Sequence, residues 1–219
     1  MLHVLHLDNH LLVVRKSAGV LVQGDHTGDS NLLEQARAYV KEKYNKPGNV
    51  FMGLVHRLDR PTSGVVTFAR TSTAASRLAT QFRQHQVRKI YWALVQGKTP
   101  LNGDMTDQMA RRQTKSRIIQ TGGQLAKLAF KRLDYQQDIS WVEIELDTGR
   151  HHQIRLQFSH RGHPILGDFK YGSRIPFPNR ALALHARSLT LTHPTRKISM
   201  TFTAEPEPFW PEPFKPNHV

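Results

Sequence analysis

Strand-like segments outnumber helical ones in this sequence, and the two kinds do not alternate regularly. Apolar or alternating runs occur at 90–95, 127–133, 141–146, 188–192 and 198–202. In the third run, Val142, Ile144 and Leu146 alternate with acidic residues, as in a half-buried strand. A doubly wound fold would repeat strand–helix units, so this order predicts an α+β domain on a largely antiparallel, mixed sheet with flanking helices.

Helical periodicity occurs in two segments. Between Asn31 and Tyr44 the apolar residues fall on one face, and Asp29, Ser30 or Asn31 can cap the helix. A second helix is expected from about Ser72 to Gln86, after Thr71 or with Ser72 as its cap. Both are amphipathic, so we expect them to pack on the sheet.

The two ends of the sequence predict different local structures. Apolar residues 11–14, a turn at 17–19 and a second apolar stretch at 20–22 predict an opening β-hairpin. Residues 205–219 are rich in proline, which disfavours regular structure, but Phe209, Trp210 and Phe214 can dock on a folded surface. We therefore expect one domain over 1–204 and a Pro/aromatic-rich arm over 205–219.

The chain is strongly basic. Its 219 residues contain 31 Lys plus Arg against 17 Asp plus Glu, a formal net charge of +14. The cations are dispersed along the chain instead of being concentrated in one tail, which favours a folded surface that follows a phosphate backbone. A merely soluble basic protein is the alternative on charge alone.

Cysteine is absent from the sequence, which excludes disulfides, thiolate catalysis and cysteine-ligated zinc. The first residues have no basic leader or continuous apolar run, and no stretch of eighteen uninterrupted apolar residues occurs. We expect a soluble, cytoplasmic protein that does not enter a membrane.

The densest polar segment, HRLDRPTSG, runs from His56 to Gly64 between two strand-like stretches. A proline and a glycine allow this loop to hold an unusual shape that presents Asp59 among cations, and nearby Arg57 or Arg60 would favour its ionised form. The alternative is that Asp59 only neutralises one of these arginines in a structural ion pair.

A second dense segment, LDTGRHHQIR, is followed by HRGHPILGD and ends at Asp168. It predicts a strand, a glycine turn and a helix beginning near His151. On that helix Ile154 and Phe158 would face the core, and Arg155 would reach outward. A solvated surface cation is the alternative for Arg155.

These segments carry a family resemblance. HRLDRPTSG, then KIYWALVQG, LDTGRHHQIRLQFSHRGHPILGDFKYG and LALHARSLTLTHP, in that order, resemble the RluA-type pseudouridine synthases from about Asp8 to Phe202. The resemblance implies the pseudouridine synthase catalytic fold with a central RNA-binding cleft. It also implies an enzyme that isomerises uridine in transfer or ribosomal RNA without a cofactor.

The resemblance also implies roles for individual residues. Asp59 matches the catalytic aspartate that attacks the target nucleotide, and Arg155 matches the arginine that pairs with it. Tyr91 matches the active-site tyrosine beneath the target base, and a proton-transfer role is plausible for its phenol. His56 and Arg60 match positions that displace or clamp the RNA.

Three further polar residues of the two dense segments, Arg57, Arg150 and His152, are candidates for RNA contact. The sequence departs from the usual family pattern at 15–19 and at His151, where Thr or Ser is more usual. The resemblance begins near Asp8, so we expect a short form without an N-terminal RNA-binding domain. A monomer without a bound metal is the simpler expectation.

Two alternatives remain open at this point. A non-catalytic RNA-binding or chaperone protein of the same fold would keep the basic surface without the reaction. A metallohydrolase is suggested by thirteen histidines, including His151, His152, His160 and His163. No HExxH pattern is present, and adjacent histidines on a helix would point apart.

Overall fold

The computed structural model describes residues 2–211 of the chain, which divides into two compact units. The first unit comprises Met1–Val87 and Arg187–Glu205, and the second comprises Arg88–Ala186 and Pro206–Val219. Unit one holds strands β1 (His3–Leu7), β2 (Leu11–Lys16), β3 (Gly53–Leu54) and β4 (Ser63–Ala69), helices α1 (Leu32–Lys43) and α2 (Ser72–Arg83), and, near the end of the chain, β11 (Ser199–Thr203). Unit two holds β5 (Arg88–Gln96), β6 (Asn102–Arg112), β7 (Lys115–Ile119), β8 (Gln124–Gln136), β9 (Ile139–Leu146), helix α3 (Gln153–His160), and 3-10 turns at Phe169–Tyr171 and Pro178–Arg180. Strand β10 (Leu184–Thr192) passes from the second unit to the first at Arg187.

The strands of the first unit lie in the order β1-β2-β4-β10, with β3 beside β4 and β11 beside β10. Helices α1 and α2 begin where the sequence predicts. Asn31 accepts a hydrogen bond from Glu34 N at 3.1 Å, and Thr71 accepts one from Ala74 N at 3.1 Å. These caps satisfy N–H groups that the first helical turn leaves unpaired. The residue next to each helix therefore determines where that helix begins.

The opening hairpin is formed by other strands than predicted. β1 pairs with β2, whereas residues 20–22 contribute only an isolated bridge between Leu21 and Asn31. The reversal is stabilised by Asp8, whose Oδ1 accepts hydrogen bonds from the N–H groups of His10 and Leu11 at 2.8 Å each. This side-chain turn, rather than the glycine turn at 17–19, reverses the chain.

The core of the first unit is built from residues distant in sequence. Leu11 and Val13 of β2, Leu78 of α2, and Leu189 and Leu191 of β10 belong to one buried cluster. Burial of these aliphatic side chains is the main favourable term for this unit.

In the second unit the strands lie in the order β5-β9-β8-β6-β7 and pair antiparallel. The predicted alternation in β9 is confirmed, because Val142, Ile144 and Leu146 are all buried. The sequence did not predict the hairpin of β6 and β7, because these strands are rich in polar residues. The α+β class with an open sheet is confirmed, whereas the central RNA-binding cleft stays a prediction.

Two aromatic residues of the predicted arm belong to the second unit. Trp210 is 1% exposed, and its ring lies 5.6 Å from that of Phe177, which also contacts Phe209. The expected docking is confirmed for these two, whereas Phe214 lies outside the described residues. The domain boundary at residue 204 stays a prediction.

The longest helices, α1 and α2, have 12 residues each. Within residues 2–211 no helix combines the length and the apolarity needed to cross a membrane.

Candidate active-site residues

Asp59 lies in the loop between β3 and β4 of the first unit, and its side chain is half-buried. Leu58 beside it is buried and anchors the loop to the core. The carbonyl of Asp59 accepts a hydrogen bond from Thr62 N at 3.1 Å, which closes a turn through Pro61. The loop therefore holds the Asp59 backbone in one defined turn.

The same loop is tied to the turn after β2 by a buried lysine. Lys16 is fully buried, and its ammonium donates to the carbonyls of Ser17, Val20 and Arg60 at 3.0, 2.7 and 2.9 Å. Gly19 N also donates to the Arg60 carbonyl at 2.8 Å. Three carbonyl acceptors satisfy all three ammonium protons, which is how a buried lysine is tolerated.

The other polar residues of this loop differ in their surroundings. Arg60 pairs with Asp29 at 2.7 Å in a half-exposed ion pair, and Arg57 is exposed. His56 is half-buried, its Nε2 accepts from Thr67 N at 2.9 Å, and its ring stacks on Phe82 at 4.7 Å. Because Nε2 is an acceptor, the neutral ring carries its proton on Nδ1. Roles for these three in RNA contact stay predictions.

Tyr91 is located in β5 of the second unit, opposite Ile144 of β9, and is half-buried. Its neighbours Ile90 and Trp92 point to the other face and are buried. Lys89 shares the face of Tyr91 because strand residues two apart point the same way. Burial lowers the pKa of Lys89 to about 8, and its ammonium donates to the carbonyls of Asp147 and Thr148.

Arg155 does not reach outward from α3 as predicted. Its side chain is 7% exposed, and Nε and Nη2 donate to the two oxygens of Asp168 at 2.7 and 2.9 Å. The guanidinium also lies over the ring of Tyr171, 5.2 Å from its centroid. Helix α3 is short and buried along most of its surface, so a cation on it is stable only because a bidentate carboxylate partner is present.

Helix α3 begins at Gln153, two residues later than predicted, because His152 adopts a left-handed conformation with φ 56°. The rings of His151 and His152 consequently stack at 3.7 Å instead of pointing apart as on a helix. His152 Nδ1 lies 2.9 Å from the Tyr171 hydroxyl, which also accepts a hydrogen bond from Ser116 N. Burial raises the pKa of Tyr171.

The turn before α3 is fixed by an amide side chain. Gln153 Oε1 accepts from the Thr148 hydroxyl at 2.7 Å and from Arg150 N at 3.0 Å, while its Nε2 donates to the Lys127 carbonyl. Arg150 itself donates from Nε to the Leu125 carbonyl at 2.9 Å. The position of Arg150 is therefore set by both its backbone and its side chain.

Sequence reasoning assigned no role to Lys16 or Asp168. Asp168 is the only acidic residue among residues 150–204, a stretch rich in arginine and lysine, and this isolation was the available signal. Nothing local in the sequence marks Lys16 as buried, because its three acceptors lie in two loops.

The metallohydrolase alternative requires histidine, aspartate or glutamate side chains gathered as ligands around one position. Among residues 2–211, no group of three or more such side chains lies close enough together to hold a metal ion.

The chain is similar in sequence to one family of RNA-modifying enzymes. Residues 10–160, more than half of the chain, match the family described as RNA pseudouridylate synthase. The ribosomal large subunit pseudouridine synthase D of Zymomonas mobilis is 35% identical, over 93% of this chain and 69% of that protein. An uncharacterized RNA pseudouridine synthase of Bacillus subtilis is 33% identical over 88% of this chain and 65% of its own length.

Solved structures give the same fold. Human RNA pseudouridylate synthase domain containing 4 aligns with a TM-score of 0.78 at 25% identity, covering 94% of this chain and 89% of that one. The human domain-containing-1 protein aligns with a TM-score of 0.75 at 26% identity, covering 95% and 84%. These findings define the class of the protein as an RNA-modifying enzyme. The chain belongs to the RNA pseudouridylate synthase family, and the predicted catalytic fold is confirmed.

Proposed function

We propose that this protein converts uridine to pseudouridine in ribosomal RNA, with Asp59 as the nucleophile. The observation that carries the proposal is the family match together with an Asp59 loop whose backbone is held by a fully buried lysine. A carboxylate held in a fixed turn meets the requirement of a nucleophile for defined geometry.

In the proposed reaction the Asp59 carboxylate forms an ester bond to ribose C1′ as the bond between C1′ and uracil N1 breaks. The freed uracil rotates, and its C5 bonds to C1′ as the ester bond breaks and releases the carboxylate. The hydrogen on C5 leaves as a proton, and N1 gains a proton, so the change is an isomerisation that consumes no cofactor. Dividing one difficult exchange into two steps is the contribution of a covalent nucleophile.

Two residues of the second unit have supporting roles in this proposal. Tyr91 offers a ring face to an extruded base and a phenol for proton transfer. Arg155 keeps the role that the family resemblance implies for it, and its bidentate bonds to Asp168 fix the direction of its guanidinium. A uridine in a duplex must first leave the base stack, which costs a few kcal/mol.

Ribosomal RNA is proposed as the substrate because several similar proteins carry that substrate in their names. These include the large-subunit pseudouridine synthases of Zymomonas mobilis and Pseudomonas aeruginosa. Transfer RNA is the other pool to be tested. Contacts of His56, Arg57, Arg60, Arg150 and His152 with RNA, the monomeric state and the cytoplasmic location belong to the same proposal.

The test is tritium release from RNA labelled at C5 of uridine, with ribosomal and transfer RNA measured in parallel. We expect release with wild type and none with Asp59→Asn. Asp104→Asn is the matched control, because it removes an exposed acidic residue of β6 and should leave release unchanged.

The outcomes separate the candidate functions. Release by Asp59→Asn at the wild-type rate would refute the nucleophile. Release from transfer RNA alone would refute the ribosomal substrate. No release from either pool, with RNA binding intact, would identify the protein as a non-catalytic RNA-binding member of the family.

A further inference from the structure

A groove in the first unit, lined by α1 and by the segment that precedes β3, has the chemistry of a single-stranded RNA site. Its volume is about 600 Å³, and its lining residues are Arg37, Ala38, Lys41, Gly48, Asn49, Val50 and Phe51. None of these side chains is acidic. We name this feature the α1 groove.

The two cations of the α1 groove lie on one face of α1. Arg37 and Lys41 are separated by one helical turn and both are exposed. Neither forms an ion pair with any residue in the described range 2–211. Adjacent cations whose charge is not neutralised by the protein are suited to successive phosphates of a nucleic acid strand.

Phe51 supplies an aromatic surface beside these cations. Its side chain is 51% exposed, so about half of it is accessible to a ligand. Its ring edge lies against Gly53, where an added Cβ would be 3.3 Å from Phe51 Cε1. The ring is therefore supported at its edge while half of its surface stays open, as a stacking platform for an unpaired base requires.

Asn49 adds a group that can recognise a base. Its side chain is exposed in the same groove and carries both a hydrogen-bond donor and an acceptor. Cations, a supported aromatic ring and an amide together match the way unpaired RNA is bound, by phosphate contacts, stacking and base-edge hydrogen bonds.

The α1 groove is connected to the Asp59 loop by a short stretch of chain. Phe51 precedes Asp59 by eight residues, which limits their separation to at most about 29 Å. A single RNA strand of several nucleotides spans such a distance, so one substrate can occupy both places.

We propose that the α1 groove binds a single-stranded segment of the substrate RNA flanking the target uridine. The claim that the bound strand is substrate rests on the proposed function, whereas binding of single-stranded RNA does not. The groove therefore contributes to the choice of RNA without taking part in the chemistry.

Binding is tested with the full chain and a labelled single-stranded oligouridylate carrying 2-aminopurine, with an RNA duplex and polyglutamate as competitors. Phe51→Leu keeps an apolar side chain but removes the ring. We expect it to weaken binding about ten-fold and to abolish the fluorescence quenching caused by stacking. Phe51→Trp should retain both.

The cations are tested by salt dependence. Arg37→Gln and Lys41→Gln should each lower the slope of log affinity against log salt by about 0.7. Lys43→Gln is the matched control, since it removes the same charge from the same helix but outside the groove, and it should leave the slope unchanged.

Turnover distinguishes this inference from the proposed function. In the tritium-release assay the groove variants should raise KM for RNA and leave kcat at the wild-type value, whereas Asp59→Asn abolishes release. If wild type releases no tritium, the binding assay still decides whether the groove binds RNA. Unchanged binding in Phe51→Leu, equal competition by the duplex, or equal competition by polyglutamate would overturn the inference.

Discussion

The buried pair of Arg155 and Asp168 gives the most quantitative prediction. Asp168→Asn keeps the size of the side chain but removes its charge and one of the two acceptors for the guanidinium. Two charge-assisted hydrogen bonds contribute about 1.5–3 kcal/mol each, and removing one partner of a buried ion pair costs about 3–5 kcal/mol. Since both side chains are almost fully buried, we expect the free energy of unfolding to fall by about 3–5 kcal/mol.

The assay is urea unfolding followed by circular dichroism. Glu145→Gln is the control, because Glu145 forms an ion pair of the same kind with Arg88 at the surface, and its loss should cost less than about 1 kcal/mol. Arg155→Met and the double variant Asp168→Asn/Arg155→Met complete a double-mutant cycle. The coupling energy between Arg155 and Asp168 should be about 2 kcal/mol or more, because the double variant leaves no buried charge unpaired.

Two results would refute this reasoning. If Asp168→Asn is no more destabilising than Glu145→Gln, burial does not strengthen the pair. If the costs of the two single variants add in the double variant, the two side chains do not depend on each other.

Three other predictions concern the pH dependence of stability and the packing of the chain end. Burial raises the pKa of Asp8, but hydrogen bonds from His6, the backbone and His193 outweigh it and hold this pKa well below its ordinary value. The free energy of unfolding should therefore fall as the pH drops below about 4, and Asp8→Asn should make this slope shallower. Burial lowers the pKa of Lys89 to about 8, against about 10.4 in the unfolded chain. The free energy of unfolding should therefore rise with pH between these two values. A series of urea titrations at different pH should show a smaller rise for Lys89→Met. Trp210→Ala should lower the free energy of unfolding by about 3–5 kcal/mol, and a loss below 1 kcal/mol would show that the arm does not pack.

Features with a local cause could be predicted from the sequence. Helices α1 and α2 begin at a capping side chain followed by apolar residues with helical spacing, and both signals lie within a few residues of each other. β9 alternates because one of its faces is buried. The ordered motifs likewise indicated the family, because each is a short continuous segment.

Features that depend on distant partners could not be predicted. The strands β6 and β7 are polar and are held in place by pairing with β8 and with each other. The orientation of Arg155 depends on Asp168, thirteen residues later, and the start of α3 depends on the left-handed backbone of His152. None of these causes can be recognised from residue type or spacing alone.

The division of the chain between its units has a consequence for synthesis on the ribosome. The core of the first unit combines Leu11 and Val13 with Leu189, Leu191 and Phe202, so its two halves are separated by the whole of residues 88–186. During synthesis, Leu11 and Val13 therefore stay partly uncovered until residue 202 has been added. Contacts between such distant segments raise the contact order and lengthen the period in which apolar side chains are open to aggregation.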